Sequence, residues 1–266
     1  MPTRLSALVV VAALLVSLLV LAGLALFMAY YKGRDSRSYR AVSAIVAPIS
    51  QRLHHDTTSD IRPPYASPRG QLEPEWQWLQ RDGITIEPRT DSLEIAATRE
   101  SLWFLNARGP LVYRQLVGDG TISAVVRARK RTDPTIPPDM EWQFAGLLMR
   151  DPASDAWMSL ENYVFNVIGF CCGELQLETK STREGGSEIH SFRWDSGDAE
   201  LAIQRSGARF TLRARRAGSG DAWRELVSYE RPDLPARLQV GLILYAHSQG
   251  RGRHDLRAFF EQIAVR

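Results

Sequence analysis

Apolar and polar residues are arranged in three different ways along this chain. From Leu5 to Tyr31 there is no alternation. The run LSALVVVAALLVSLLVLAGLALFMAY, closed by Tyr31, is almost wholly apolar, and no charged residue stands between Arg4 and Lys32. At a rise of about 1.5 Å per residue such a helix would span roughly 40 Å, more than the roughly 30 Å hydrocarbon core of a bilayer. The run is longer than the apolar core of a cleaved signal peptide, about 7–15 residues. Its Gly23-Leu24-Ala25 cleavage site is weak, and no Cys stands just after the run to accept a lipid. One uncleaved transmembrane helix is expected, with residues 1–31 as the anchor.

The second pattern is helical. Ala41, Val42, Ile45, Val46, Ile49 and Leu53 recur at three- and four-residue spacing, interrupted by Pro48, which bends or ends a helix. Two readings fit: a juxtamembrane stalk, or a helix lying on lipid headgroups through its arginines. IRPPYASPRG (61–70) then reads as an extended proline tether. Residues 32–70 are assigned to this stalk and tether, and residues 71–266 to a folded domain.

Within 71–266 the period becomes two. Ile84-Thr-Ile86, Leu93-Glu-Ile95, the Ile122, Ala124, Val126 series, Leu201-Ala-Ile203, Phe210 to Ala214 and Leu238 to Leu244 alternate. Turn signals separate them, among them Arg81-Asp-Gly83, Gly118-Asp-Gly120, Asp151-Pro152 and Ser206-Gly207. About twelve short strands without intervening helices predict an all-β antiparallel sandwich or jelly roll. No fixed-period repeat is present, which argues against a propeller or solenoid.

Composition changes this picture little. The chain has 266 residues with 33 Lys and Arg against 30 Asp and Glu, a formal charge of +3. The cations are spread along the chain instead of clustered on one element, so no nucleic-acid partner is expected. Lys32, Arg34, Arg37 and Arg40 follow the anchor. The positive-inside rule would therefore place the domain in the cytoplasm, although long domains translocate regardless of flanking charge. The two cysteines, Cys171 and Cys172, are adjacent. They are expected to be free thiols. A vicinal redox pair or a metal site is the alternative, and no His or further Cys lies nearby at ligand spacing.

The order of motifs carries a resemblance. GPLVYRQLVGDGTISAVVRAR (109–129), QFAGLLMRDP (143–152), the ENY segment at Glu161, AELAIQRSGARFTLRARRAGSGDAWREL (199–226), LQVGLILYA (238–246) and LRAFFEQI (256–263) follow one another. This series resembles the concanavalin-like, laminin-G-type jelly roll of a bacterial family of unknown function labelled after a "regulation of enolase" protein. It is also similar to C-terminal modules of some β-xylosidases. The resemblance spans roughly Gly83 to Arg266. Gly120 stands where the pattern has an aromatic, and Ile168 to Ser187 has no clear counterpart. The resemblance implies a sandwich with one concave face on which relatives bind carbohydrate, and an extracytoplasmic domain.

Candidate site residues follow from that face. Trp103 and Trp142 lie near strand starts, where a groove rim would offer aromatic faces for stacking. Arg114, Arg150 and Glu161 are the candidate polar cluster, with a surface ion pair as the plainer reading. Trp76 and Trp78 either stack on sugar or seal the domain edge, and Trp223 is expected in the core. Catalysis is not expected. Glycoside hydrolysis needs two carboxylates across a cleft, whereas Asp139 and Glu141 follow two prolines in an expected loop. No cofactor is expected. Asp119, Asp195 and Asp198 are the loop acids that would serve Ca²⁺, with solvated turns as the alternative. The expected partners are the membrane and a glycan or envelope protein. The expected function is non-catalytic carbohydrate or envelope binding, with a structural or protein-interaction domain as the alternative.

Overall fold

The computed structural model describes residues 76–156, 159–247 and 254–266. The anchor, stalk and tether lie outside the described residues. Among the described residues no helix is long and apolar enough to cross a membrane.

The strands are β1 (Gln77–Leu79), β2 (Ile84–Pro88), β3 (Ser92–Ala97), β4 (Leu111–Val117), β5 (Gly120–Arg129), β6 (Gln143–Arg150) and β7 (Tyr163–Cys171). They continue as β8 (Glu174–Arg183), β9 (Gly186–Arg193), β10 (Asp198–Ser206), β11 (Arg209–Arg215), β12 (Arg224–Glu230), β13 (Arg237–Ala246) and β14 (Arg257–Val265). They form two seven-stranded sheets, ordered β1-β4-β13-β6-β7-β8-β9 and β12-β11-β10-β5-β14-β3-β2. The expected all-β, two-sheet antiparallel sandwich is what the described residues adopt.

Alternation explains the main core. On β5, Ile122, Ala124, Val126 and Ala128 turn inward. They face Ala145, Leu147 and Met149 of β6 and Leu238, Val240, Leu242 and Leu244 of β13, all buried in one cluster. Each large side chain so buried contributes about 1.5–3 kcal/mol of transfer free energy. One polar group crosses this layer. Buried Asn166 on β7 donates to the carbonyls of Ala202 (3.1 Å) and Arg213 (2.8 Å) in the other sheet.

The first sheet is unusual in that its outer face is also buried. Leu111, Tyr113, Phe144, Leu148, Tyr163, Phe165, Val167, Ile243 and Tyr245 form a second apolar cluster there, together with Trp103. A sheet covered on both faces shows near-continuous apolar runs rather than alternation, as in Tyr163–Cys171, where only Phe170 is not buried. The segment Ile168–Ser187, which has no counterpart in the resemblance, forms most of the β7–β8 hairpin. Cys172 and Gly173 make its turn with φ of +58° and +82°.

Candidate functional site

The cover over the outer face is residues 98–110, a strap running from β3 in one sheet to β4 in the other. It is pinned along its length. Ser101 exchanges backbone hydrogen bonds with Ala246 and donates its hydroxyl to the Leu244 carbonyl at 2.7 Å. The Trp103 carbonyl accepts from Lys180 Nζ at 2.9 Å. Asn106 accepts from the Glu161 backbone N–H at 3.3 Å. Arg108 donates to Glu161 at 2.8 Å and to the Ser154 carbonyl. Trp103 is thereby driven into the sheet, 0% exposed, with its ring edge-on to Tyr163 at 5.5 Å. Gly109 allows this approach, since a Cβ there would lie 2.7 Å from Trp103 Cδ1.

Arg150 and Glu161 meet as the sequence suggested, but in the interior rather than at a surface. Arg150 is 0% exposed and Glu161 1%. Arg150 donates to both Glu161 oxygens (2.7 and 2.8 Å), to Asp155 (2.8 Å) and to Gln239 (2.6 Å). Burial alone would lower the guanidinium's pKa, but the Glu161 and Asp155 carboxylates outweigh it and raise it. Arg114 does not join them. It pairs with Val240, which pairs onward with Met149, so it lies on the inter-sheet face, whereas Arg150 pairs with Gln239 on the outer face.

A second buried charge pair was not legible in the sequence. Glu178 and Lys180 lie two apart on β8 and share the outer face, with Nζ 3.5 Å from Oε1. Lys180 Nζ sits over the rings of Phe165 (4.5 Å), Tyr245 (5.1 Å) and Phe104 (5.5 Å). Burial pushes the lysine pKa down against the pull of Glu178, and pushes the Glu178 pKa up against the pull of Lys180.

Trp142 stands apart from this sealed region, at the start of β6. It adopts φ of +54° and packs on His247 at 5.1 Å between ring centroids. It remains half-buried at the edge of the outer cluster. His247 also contacts Glu100. The remaining tryptophans offer less. Trp76 and Trp78 are buried, Trp78 beneath the Arg81 guanidinium at 4.6 Å. Half-buried Trp223 stacks under Arg215 at 4.6 Å, outside the core cluster in which it was expected. Of the loop acids considered for Ca²⁺, Asp119 accepts from Gly207 N–H, Asp195 pairs with Arg216, and Asp198 pairs with Arg127 and Arg129.

No family profile and no curated protein sequence matches the chain. Solved structures do. A functionally unknown protein from Saccharomyces cerevisiae superposes with a TM-score of 0.58 at 13% identity, over 72% of this chain and 96% of its own. The GH43 BlXynB protein from Bacillus licheniformis gives a TM-score of 0.55 at 14% identity, over 74% of this chain and 37% of its own. A xylan beta-1,4-xylosidase from Bacillus halodurans gives 0.53 at 13% identity, over 78% of this chain and 39% of its own. The chain thus spans under two fifths of these two hydrolase chains. At such identities the likeness shows a shared fold.

Proposed function

We propose that the protein is a membrane-anchored, non-catalytic binding module that takes a carbohydrate or another envelope component outside the cytoplasm. Its contact point is the Trp142 end of the outer sheet face. The observation that carries this reading is Trp142 itself, a half-buried aromatic ring packed on His247 at the edge of the outer cluster. Pyranose rings stack on such faces. The shared fold with parts of a GH43 protein and a xylosidase supports a setting in polysaccharide recognition. The non-catalytic part rests on the two buried acids of this face, Glu161 and Glu178, each tied to a buried cation.

The test is a polysaccharide array probed with the full chain in detergent. At least one glycan is expected to be retained, and Trp142→Ala should weaken it by roughly tenfold, the scale of one aromatic contact of about 1–1.5 kcal/mol. An array without retention would end this reading. One observation favours a second reading, a structural or protein-interaction domain: Trp103 and Lys180 fill the middle of the face where a groove would lie.

A further inference from the structure

Adjacent residues on a strand project to opposite faces, so neighbouring thiols should point apart. Cys171 and Cys172 do not: their Sγ atoms are 3.0 Å apart. The cause is the hairpin turn. Cys171 ends β7, and Cys172 takes the first turn position with φ of +58°, the left-handed region usually left to Asn or Gly in two-residue hairpins. That rotation swings the second thiol round to its neighbour.

The loop before β6 adds a third group. Glu141, thirty residues earlier in the chain, accepts from the backbone N–H of Cys172 at 2.6 Å and of Gly173 at 3.1 Å. Its carboxylate is therefore fixed over the turn. One ligand atom from each of Glu141, Cys171 and Cys172 lies within 4.8 Å of the others. Both cysteines are free thiols, Cys171 buried and Cys172 exposed. The set thus has a protected inner side and an open outer one.

We propose that Glu141, Cys171 and Cys172 form a chelating site for a thiophilic d¹⁰ cation of the Zn²⁺ type, with a fourth position open to solvent or ligand. Zn–S bonds of about 2.3 Å at a tetrahedral angle place two sulfurs about 3.8 Å apart. The thiols need to separate by under about 1 Å, which a χ1 adjustment at exposed Cys172 supplies. Two thiolates and one carboxylate suit a borderline-soft ion better than Ca²⁺ or Mg²⁺, which take oxygen sets. On binding, each thiol loses its proton to solvent as its sulfur–metal bond forms, and no electron is transferred. A bound ion would tie the β7–β8 hairpin to the segment that carries Trp142. The site stands or falls independently of glycan recognition.

The experiment uses the full chain in detergent, stripped with chelator, kept reduced with a phosphine, and titrated with Cd²⁺ and then Zn²⁺. One Cd²⁺ per chain is expected, with an ultraviolet thiolate-to-metal band that Zn²⁺ displaces. Loss of groups that merely support a metal ligand costs 10–100-fold in affinity, so Glu141→Gln should weaken binding at least about tenfold. Cys172→Asn should abolish the band. Asn suits the left-handed turn, so that variant should unfold at the parent temperature or above it without metal, which separates lost chelation from lost folding. No band at one equivalent, or parent-like binding by either variant, overturns the proposal.

Discussion

Glu178 and Lys180 alternate with Thr179 on β8 and share one face, yet both charges are buried beneath the strap. Removing one partner of a buried pair leaves the other uncompensated, typically at a cost of 3–5 kcal/mol. Lys180→Met alone should therefore lose about 3 kcal/mol in chemical denaturation. Adding Glu178→Gln should recover most of it, because Met fills the aromatic cage and Gln carries no charge. The pair also sets a pH dependence. With its pKa below 10.5 in the fold, Lys180 binds fewer protons folded than unfolded, so its contribution to stability rises as pH climbs toward 10.5. Lys180→Met should flatten that alkaline rise. Asp233 acts at the other extreme. Burial opposes its ionisation, but Arg231 (2.9 Å) overrides this and holds its pKa down to about 2. Its stabilisation is present above 3.8 and is lost as pH falls toward 2. Asp233→Asn should remove about 1 kcal/mol of acid sensitivity in that window, after discounting for solvent screening at a side chain 29% exposed.

At the scale of elements, the strap decides what the outer face can do. Gly109→Ala places a methyl against the Trp103 indole, and overpacking of this kind costs about 1–3 kcal/mol. Trp103→Phe removes the atoms it strikes, so the two substitutions should be non-additive by at least about 0.5 kcal/mol in a double-mutant cycle read by thermal unfolding. The same contrast shows what the sequence made legible. Strands with one solvated face, such as β2, β5 and β11, announced themselves by period two, and the QFAGLLMRDP motif (143–152) contains β6, Gln143–Arg150. β7 and β8 escaped because the strap buries their second face. That erases alternation on β7 and places Glu178 and Lys180 where local sequence predicts water. Arg150 and Glu161 were found through motif order, but their buried state depends on Arg108 and Asn106 arriving from the strap, a tertiary fact without a local signal. Arg114 was grouped with Arg150 and Glu161, but it sits opposite Val240 and so on the inter-sheet face, because adjacent strand residues project to opposite faces. Glu141 was weighed only beside Asp139, because its actual partners lie about thirty residues on, in the turn after the neighbouring strand β7.

At the scale of the whole molecule, the proposal joins a β-sandwich to a bilayer through residues 1–70. The full chain should sediment with membranes and resist extraction by high salt, and deletion of residues 5–31 should release it. An alkaline phosphatase fused at the C-terminus should be active, as an extracytoplasmic domain requires. The charges at Lys32, Arg34, Arg37 and Arg40 argue the other way, so an inactive fusion would remove the envelope ligand from consideration. The proposed recognition lies at the half-buried Trp142 edge and not on the sealed middle of the face. The most direct measurement is calorimetric titration of the array-selected glycan into the parent, Trp142→Ala and Trp103→Phe chains. Binding should be roughly tenfold weaker for Trp142→Ala and parent-like for Trp103→Phe. Binding that survives Trp142→Ala, or that fails with Trp103→Phe in a folded chain, would contradict that placement.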